Sequence, residues 1–273
     1  MARANVLPRP QAQADMLHRL PSRHVLRGLG NLLANETRAW WSTRRWLVHA
    51  AVWVVIINGF TGLLAWAETR DGIARAEVYA EAIQTFCIVG GIAGALGVVA
   101  TVQGAVVGEK QSGTAAWLMS KPASRGAFVL AKLLAHGGAF LVLALMVPAL
   151  VLCLQSLVGG RRLPLLMPLV GGLAVLALHL GFYLTLTIML GAVLDSRGPI
   201  VGIGVGLIIA GQSLPNLLPW LGMVFPWRLP AAAAGLMLGA PLSGERLLAL
   251  GVTAAWTVLF VAVALWRFAR EEL

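Results

Sequence analysis

Charge is what this sequence has least of: only 12% of its 273 residues are Asp, Glu, Lys or Arg. A soluble domain carries roughly a quarter, so this chain has too little charge to cover a water-facing surface. Much of its surface must face lipid. Acidic residues are scarcer than basic ones, 11 against 21, and none lies well inside an apolar run. That argues against an ion-gradient-driven secondary transporter, which needs membrane-embedded carboxylates. Cysteine is limited to Cys87 and Cys153. Both fall in apolar runs and read as small packing residues, with neither a disulfide framework nor metal-ligand spacing. An intramembrane enzyme would need converging catalytic groups, and Gly211-Gln212-Ser213-Leu214 is not a GxSG nucleophile with a paired histidine. The nearest approach to a phosphate loop, Gly104 to Lys110, lacks the glycine spacing followed by Lys-Ser/Thr that cradles phosphates.

What is present is hydrophobicity. Apolar residues make up 59% of the chain and mean hydropathy is +0.82. At roughly 20 residues per crossing, the length accommodates six spans with short loops. Uncharged runs place them at Trp46–Ala67, Ala82–Val107, about 126–158, about 168–194, from Pro199 into a proline-broken stretch Pro215–Pro230, and Arg246–Trp266. The third run is too long for one straight crossing, and Pro148 is expected to kink it. The second is rich in glycine (Gly90, Gly94, Gly97, Gly104, Gly108), which lets helix backbones approach closely in lipid. Ser243 is suited to cap the sixth span.

Residues 1–22 are polar, contain Pro and Arg, and read as a mobile cytoplasmic tail. Residues 23–45 carry Val25, Leu26, Leu29, Leu32, Leu33, Trp40 and Trp41 near one helical face, mostly opposite Arg27, Asn31, Asn35 and Arg38. That pattern describes an amphipathic interfacial helix. Residues 46–273 form the six-span domain. The net charge of +10 flanks the apolar runs instead of forming a stripe, which suits lipid and topology, not nucleic acid. Six spans put Arg27, Arg38, Arg44, Arg45, Lys110, Lys121, Arg125, Arg197, Arg267 and Arg270 on one side. Arg70, Arg75, Arg161, Arg162, Arg228 and Arg246 lie on the other. The bias points to cytoplasmic termini.

The loop between the second and third spans is the most informative. Glu109 suits the positive start of a short helix, Trp117 and Leu118 give it an apolar stripe, and Lys121-Pro122 stops it. Ser124 can then cap the third span. A short half-apolar helix is unstable alone in water, so it requires a surface to dock on: the lipid interface or a protein.

Glu109-Lys110-Gln111-Ser112-Gly113-Thr114, then Leu118-Met119-Ser120-Lys121-Pro122, Ser124-Arg125 and Ala131-Lys132-Leu133-Leu134, resembles the hallmark of ABC-2 type permeases. These are the membrane subunits of ATP-binding-cassette exporters with the six-helix, type V fold. The resemblance implies an all-α membrane protein with an N-terminal amphipathic connecting helix, a cytoplasmic coupling helix and a broken re-entrant region before the last helix. It implies that Glu109, Lys110, Gln111, Gly113, Thr114, Trp117, Leu118, Lys121, Pro122 and Arg125 contact a separate ABC ATPase. Two ATPase copies would bind ATP and Mg, and two permeases, this chain twice or with a close relative, would form the path. The setting it implies is the plasma membrane of a bacterium. Asn58, Gln103, His179, Tyr183 and Thr187 are the candidate pathway-lining residues, since polar groups inside spans often mark pathways. Interhelical hydrogen bonding is their plainer reading. The apolar spans suit a hydrophobic or amphipathic cargo.

Overall fold

The computed structural model describes residues 26–120, 123–160 and 163–271. The expected tail at 1–22, Lys121, Pro122, Arg161 and Arg162 therefore lie outside the described residues. All regular elements among the described residues are helical, and six are long and apolar enough to cross a membrane.

Helix α1 (Leu29–Trp41) follows Gly28, whose φ of 82° is the left-handed turn that starts it. No residue of α1 is fully buried, and its inner face packs on the third span. The first span, α2 (Arg45–Arg70), contains a π-helical stretch at Val54–Asn58. Span two is α3 (Arg75–Val102). The loop expected to hold one short helix holds two, α4 (Val107–Gln111) and α5 (Thr114–Met119). Gly113 separates them with φ 70°, a conformation that interrupts a right-handed helix.

Span three, α6 (Arg125–Val158), starts at Ser124, whose hydroxyl accepts a hydrogen bond from Ala127 N at 3.1 Å. The expected disturbance at Pro148 takes the form of a π-helical stretch at Leu141–Met146, just before the proline. Proline has no N–H and its ring crowds the preceding turn, and a widened turn accommodates both. The π-helical parts of α2 and α6 lie where these two helices pack. Asn58 Nδ2 donates to Pro148 O at 3.0 Å, and Gln155 Nε2 donates to Asn58 O at 2.9 Å.

Span four, α7 (Leu166–Val193), is the most buried and packs on spans two, three and six. Span five, α8 (Arg197–Leu217), ends just after Pro215. The proline-broken stretch then forms α9 (Leu221–Val224), a single 3-10 turn at Pro226–Arg228, and α10 (Leu229–Met237). Although short, α10 is buried against α7 and α3. Span six, α11 (Gly244–Ala269), is capped by Ser243 as expected.

The glycines of α3 mark close approaches. A Cβ at Gly91 would come within 2.6 Å of Pro230 Cγ, and one at Gly97 would overlap the Trp53 ring. Gly97→Val should therefore force α2 and α3 apart. We expect a loss of about 2 kcal/mol from overpacking, read as a lowered thermal midpoint of the purified protein.

Candidate functional site

At the end of the bundle where α1 sits, the α4–α5 loop is fastened by two buried or half-buried lysines. Lys132, on α6, is only 2% exposed. Its Nζ donates to Glu36 Oε1 of α1 at 2.8 Å and to Glu109 Oε1 of α4 at 2.5 Å. The same nitrogen lies 4.9 Å from the centre of the Phe128 ring, and Phe128 stacks on Phe268 of α11. A lone cation in an apolar helix is costly unless paired and hydrogen-bonded. Two carboxylates meet that need, and in doing so they join α1, α4 and α6. Phe128 extends the contact to α11.

Lys110 makes the second fastening, 2.9 Å from Asp195 Oδ1 and 2.8 Å from Glu271 Oε1. Asp195 sits in the turn between α7 and α8, and Lys110 beside it holds its carboxyl below the usual carboxylate range. Arg267, one turn before Glu271, completes the group at 3.0 Å. Gln111 Nε2 donates to Asp195 O at 2.6 Å. Arg197 packs its guanidinium on the backbone below: a Cβ on Gly104 would lie 3.3 Å from its Cζ. Arg125 Nη1 donates to Ala269 O at 2.7 Å, satisfying a carbonyl at the end of α11. Thr114 shares a 2.9 Å hydrogen bond with Ser112 across the Gly113 turn.

The expected stripe on α5 divides between two faces. Ala115 is fully buried and Leu118 packs on the core, three residues on and so on the same face. Trp117 points the other way and is 61% exposed. The loop thus has an anchored inner side and an outer side bearing an aromatic ring. Lys121 and Pro122, expected to belong to this site, lie outside the described residues.

The candidate pathway residues are scattered. Asn58 belongs to the α2–α6 cross-link. Gln103, just past the end of α3, donates to Ala100 O of that helix at 3.0 Å. His179 joins three elements, with Nδ1 3.0 Å from Pro226 O and Nε2 3.2 Å from Gly91 O. Tyr183 is buried edge-on to the His179 ring, and Thr187 donates back to Tyr183 O at 2.7 Å. The four-residue spacing does put these three on one face of α7, where they meet the bundle interior. Among the described residues, no cluster of three or more His, Cys, Asp or Glu could hold a metal ion.

A family model described as ABC-2 family transporter protein matches residues 61–273. The chain belongs to the ABC-2 transporter family. It is a multi-pass membrane permease of an ABC transporter, and permeases of this family work with an ABC ATPase, having no ATPase site of their own. No curated protein matches the chain closely. The match begins within α2, so α1 lies outside it. Sequence reasoning about this ABC-2 permease missed the pairing at Lys132. The residue stands alone as a charge in an apolar run, which signals that a partner exists. The partner Glu36 is 96 residues away, and no local pattern links the two.

Proposed function

We propose that this permease exports a hydrophobic or amphipathic cargo, driven by ATP hydrolysis transmitted through the α4–α5 loop. The observation that carries this reading is the contrast within the loop. Its inner side is tied by Lys132 to α1 and α6 and by Lys110 to the α7–α8 turn and the end of α11. Its outer side presents Trp117. A push on such a segment moves several spans together, because every tie runs to a different helix. Two ATPase subunits, each binding ATP and Mg, would seat the Trp117 face of two permeases. Glu109, Lys110, Gln111, Gly113, Thr114 and Arg125 hold the shape of that face. Both termini would be cytoplasmic, in a bacterial plasma membrane.

The cargo class is supported by a cavity of about 430 Å3 between α2 and α6. Its walls are mainly apolar, from Ala65, Trp66, Val151 and Leu154, with Gln155 and Thr69 as polar contacts. An amphipathic molecule matches such a lining.

Co-expression with the cognate ABC ATPase should yield a complex in mild detergent, with two copies of each subunit when the permease is a homodimer. Recovery of the permease without the ATPase would count against the reading. Topology is checked separately, in a background with Cys87 and Cys153 replaced by Ala. A single cysteine at Ser112 should resist an impermeant thiol reagent in intact cells, whereas one at Thr69 or Gly159 should label. Labelling of Ser112 from outside would place the loop on the wrong side for an ATPase.

A further inference from the structure

We propose that the cavity at the opposite end of the bundle, between α9, α10 and the first turn of α11, binds the phosphate of an anionic lipid head group. This goes beyond the transport reading and does not rest on the ATPase contact. The cavity measures about 400 Å3 and has Arg228 and Arg246 in its wall. They come from different elements, Arg228 from the turn before α10 and Arg246 from the start of α11. Both are held in place. Arg228 lies across Gly222, where any Cβ would collide with its Nε. Arg246 passes Gly235, where a Cβ would be 3.1 Å from Nη1, and that nitrogen donates to Pro241 O at 3.2 Å.

Each guanidinium offers five N–H donors. Among the described residues, neither has a carboxylate within ion-pair distance. Two half-buried cations thus converge on one space with most of their donors unused. A phosphate supplies what is missing, since its oxygens accept the paired N–H groups of guanidinium. The helices add to the attraction, because α10 and α11 both begin at this cavity and a helix start favours an anion. Glu245 also lines it, but it is exposed, and one carboxylate against two guanidiniums leaves the space positive.

The remaining walls favour a lipid over a free anion. Met223, Ala231, Ala232 and Ala249 give the cavity an apolar side, suited to a glycerol backbone and the start of acyl chains. Trp220 is 58% exposed at the same end, the kind of residue that settles at head-group depth.

The full-length protein, delipidated in mild detergent, would be titrated with phosphatidylglycerol, phosphatidylcholine and inorganic phosphate. Native mass spectrometry and thermal unfolding read the binding. R228Q/R246Q should bind phosphatidylglycerol roughly thirtyfold more weakly, from about fivefold per arginine, with phosphatidylcholine unaffected. Glu245→Gln should tighten phosphatidylglycerol binding. Equal phosphatidylglycerol affinity in wild type and double variant would overturn the proposal. Arginine-dependent binding of inorganic phosphate without any of phosphatidylglycerol would assign a free anion and overturn the lipid source. Should R228Q/R246Q fail to fold, Glu245→Gln decides alone: affinity that stays the same or falls would overturn the site.

Discussion

A Lys132→Ala permease should lose about 3 kcal/mol of stability, more than any other single change at the α1 end of the bundle. The loss comes from what stays behind. Glu36 and Glu109 bond the same nitrogen, so removing it leaves two carboxylates facing each other with no cation between them. They are 23% and 29% exposed, so water relieves part of the repulsion, and the estimate sits at the low end for a broken buried pair. In thermal unfolding this corresponds to a fall of roughly 6–12 °C for a chain of this size. Glu36→Gln or Glu109→Gln should be much milder, because each leaves Lys132 with one carboxylate. The triple variant K132M/E36Q/E109Q should recover most of the midpoint, since replacing a whole buried ionic group is commonly neutral. If that triple variant also kept full cargo-stimulated ATP hydrolysis, the ionic link would be dispensable for coupling. Recovered stability with lost coupling would identify Lys132 as a positioning residue for the loop. A Lys132→Ala protein as stable as wild type would mean that the two carboxylates are not held against each other.

The spans were legible because each one is a long apolar run almost free of charge, with Lys132 the exception inside the third, and composition alone fixes where such runs sit. Ser124 and Ser243 were legible as caps because a cap is a local signal read within three residues. The π-helical stretch at Leu141–Met146 was half legible: Pro148 announced a disturbance, but the turn that absorbs it depends on packing against α2. The loop was legible as a site but not in its mounting. Its stripe looked like one docking face in sequence, yet Ala115 and Leu118 turn inward while Trp117 turns out. The Lys132 ties were illegible for a different reason. They join residues 96 and 23 positions apart on three helices, and only the packing of α1 on α6 brings them together. The same holds for His179, whose partners Gly91 and Pro226 are backbone carbonyls that carry no sequence signal.

Trp117→Ala should leave the fold intact and abolish coupling. The ring is 61% exposed, so truncating it removes little buried area and the thermal midpoint should shift by no more than about 1 kcal/mol equivalent. Membrane levels should match wild type because no span is touched. If the ring is the aromatic anchor of an ATPase contact, its truncation commonly costs about 2 kcal/mol or more, a thirtyfold or larger loss of affinity between the subunits. Trp117→Phe should keep much of that affinity, since most of the apolar area remains. Leu118→Ala provides the contrast. Leu118 packs inward on the core, so its loss should lower stability more than it lowers ATPase affinity. A ring that merely rests on the lipid surface makes a different forecast: Trp117→Ala would then hydrolyse ATP and export cargo at wild-type rates. Normal coupling in a well-expressed Trp117→Ala protein would move the ATPase contact off α5 altogether. The exposed Asp195 turn beside Lys110 would be the next place to test.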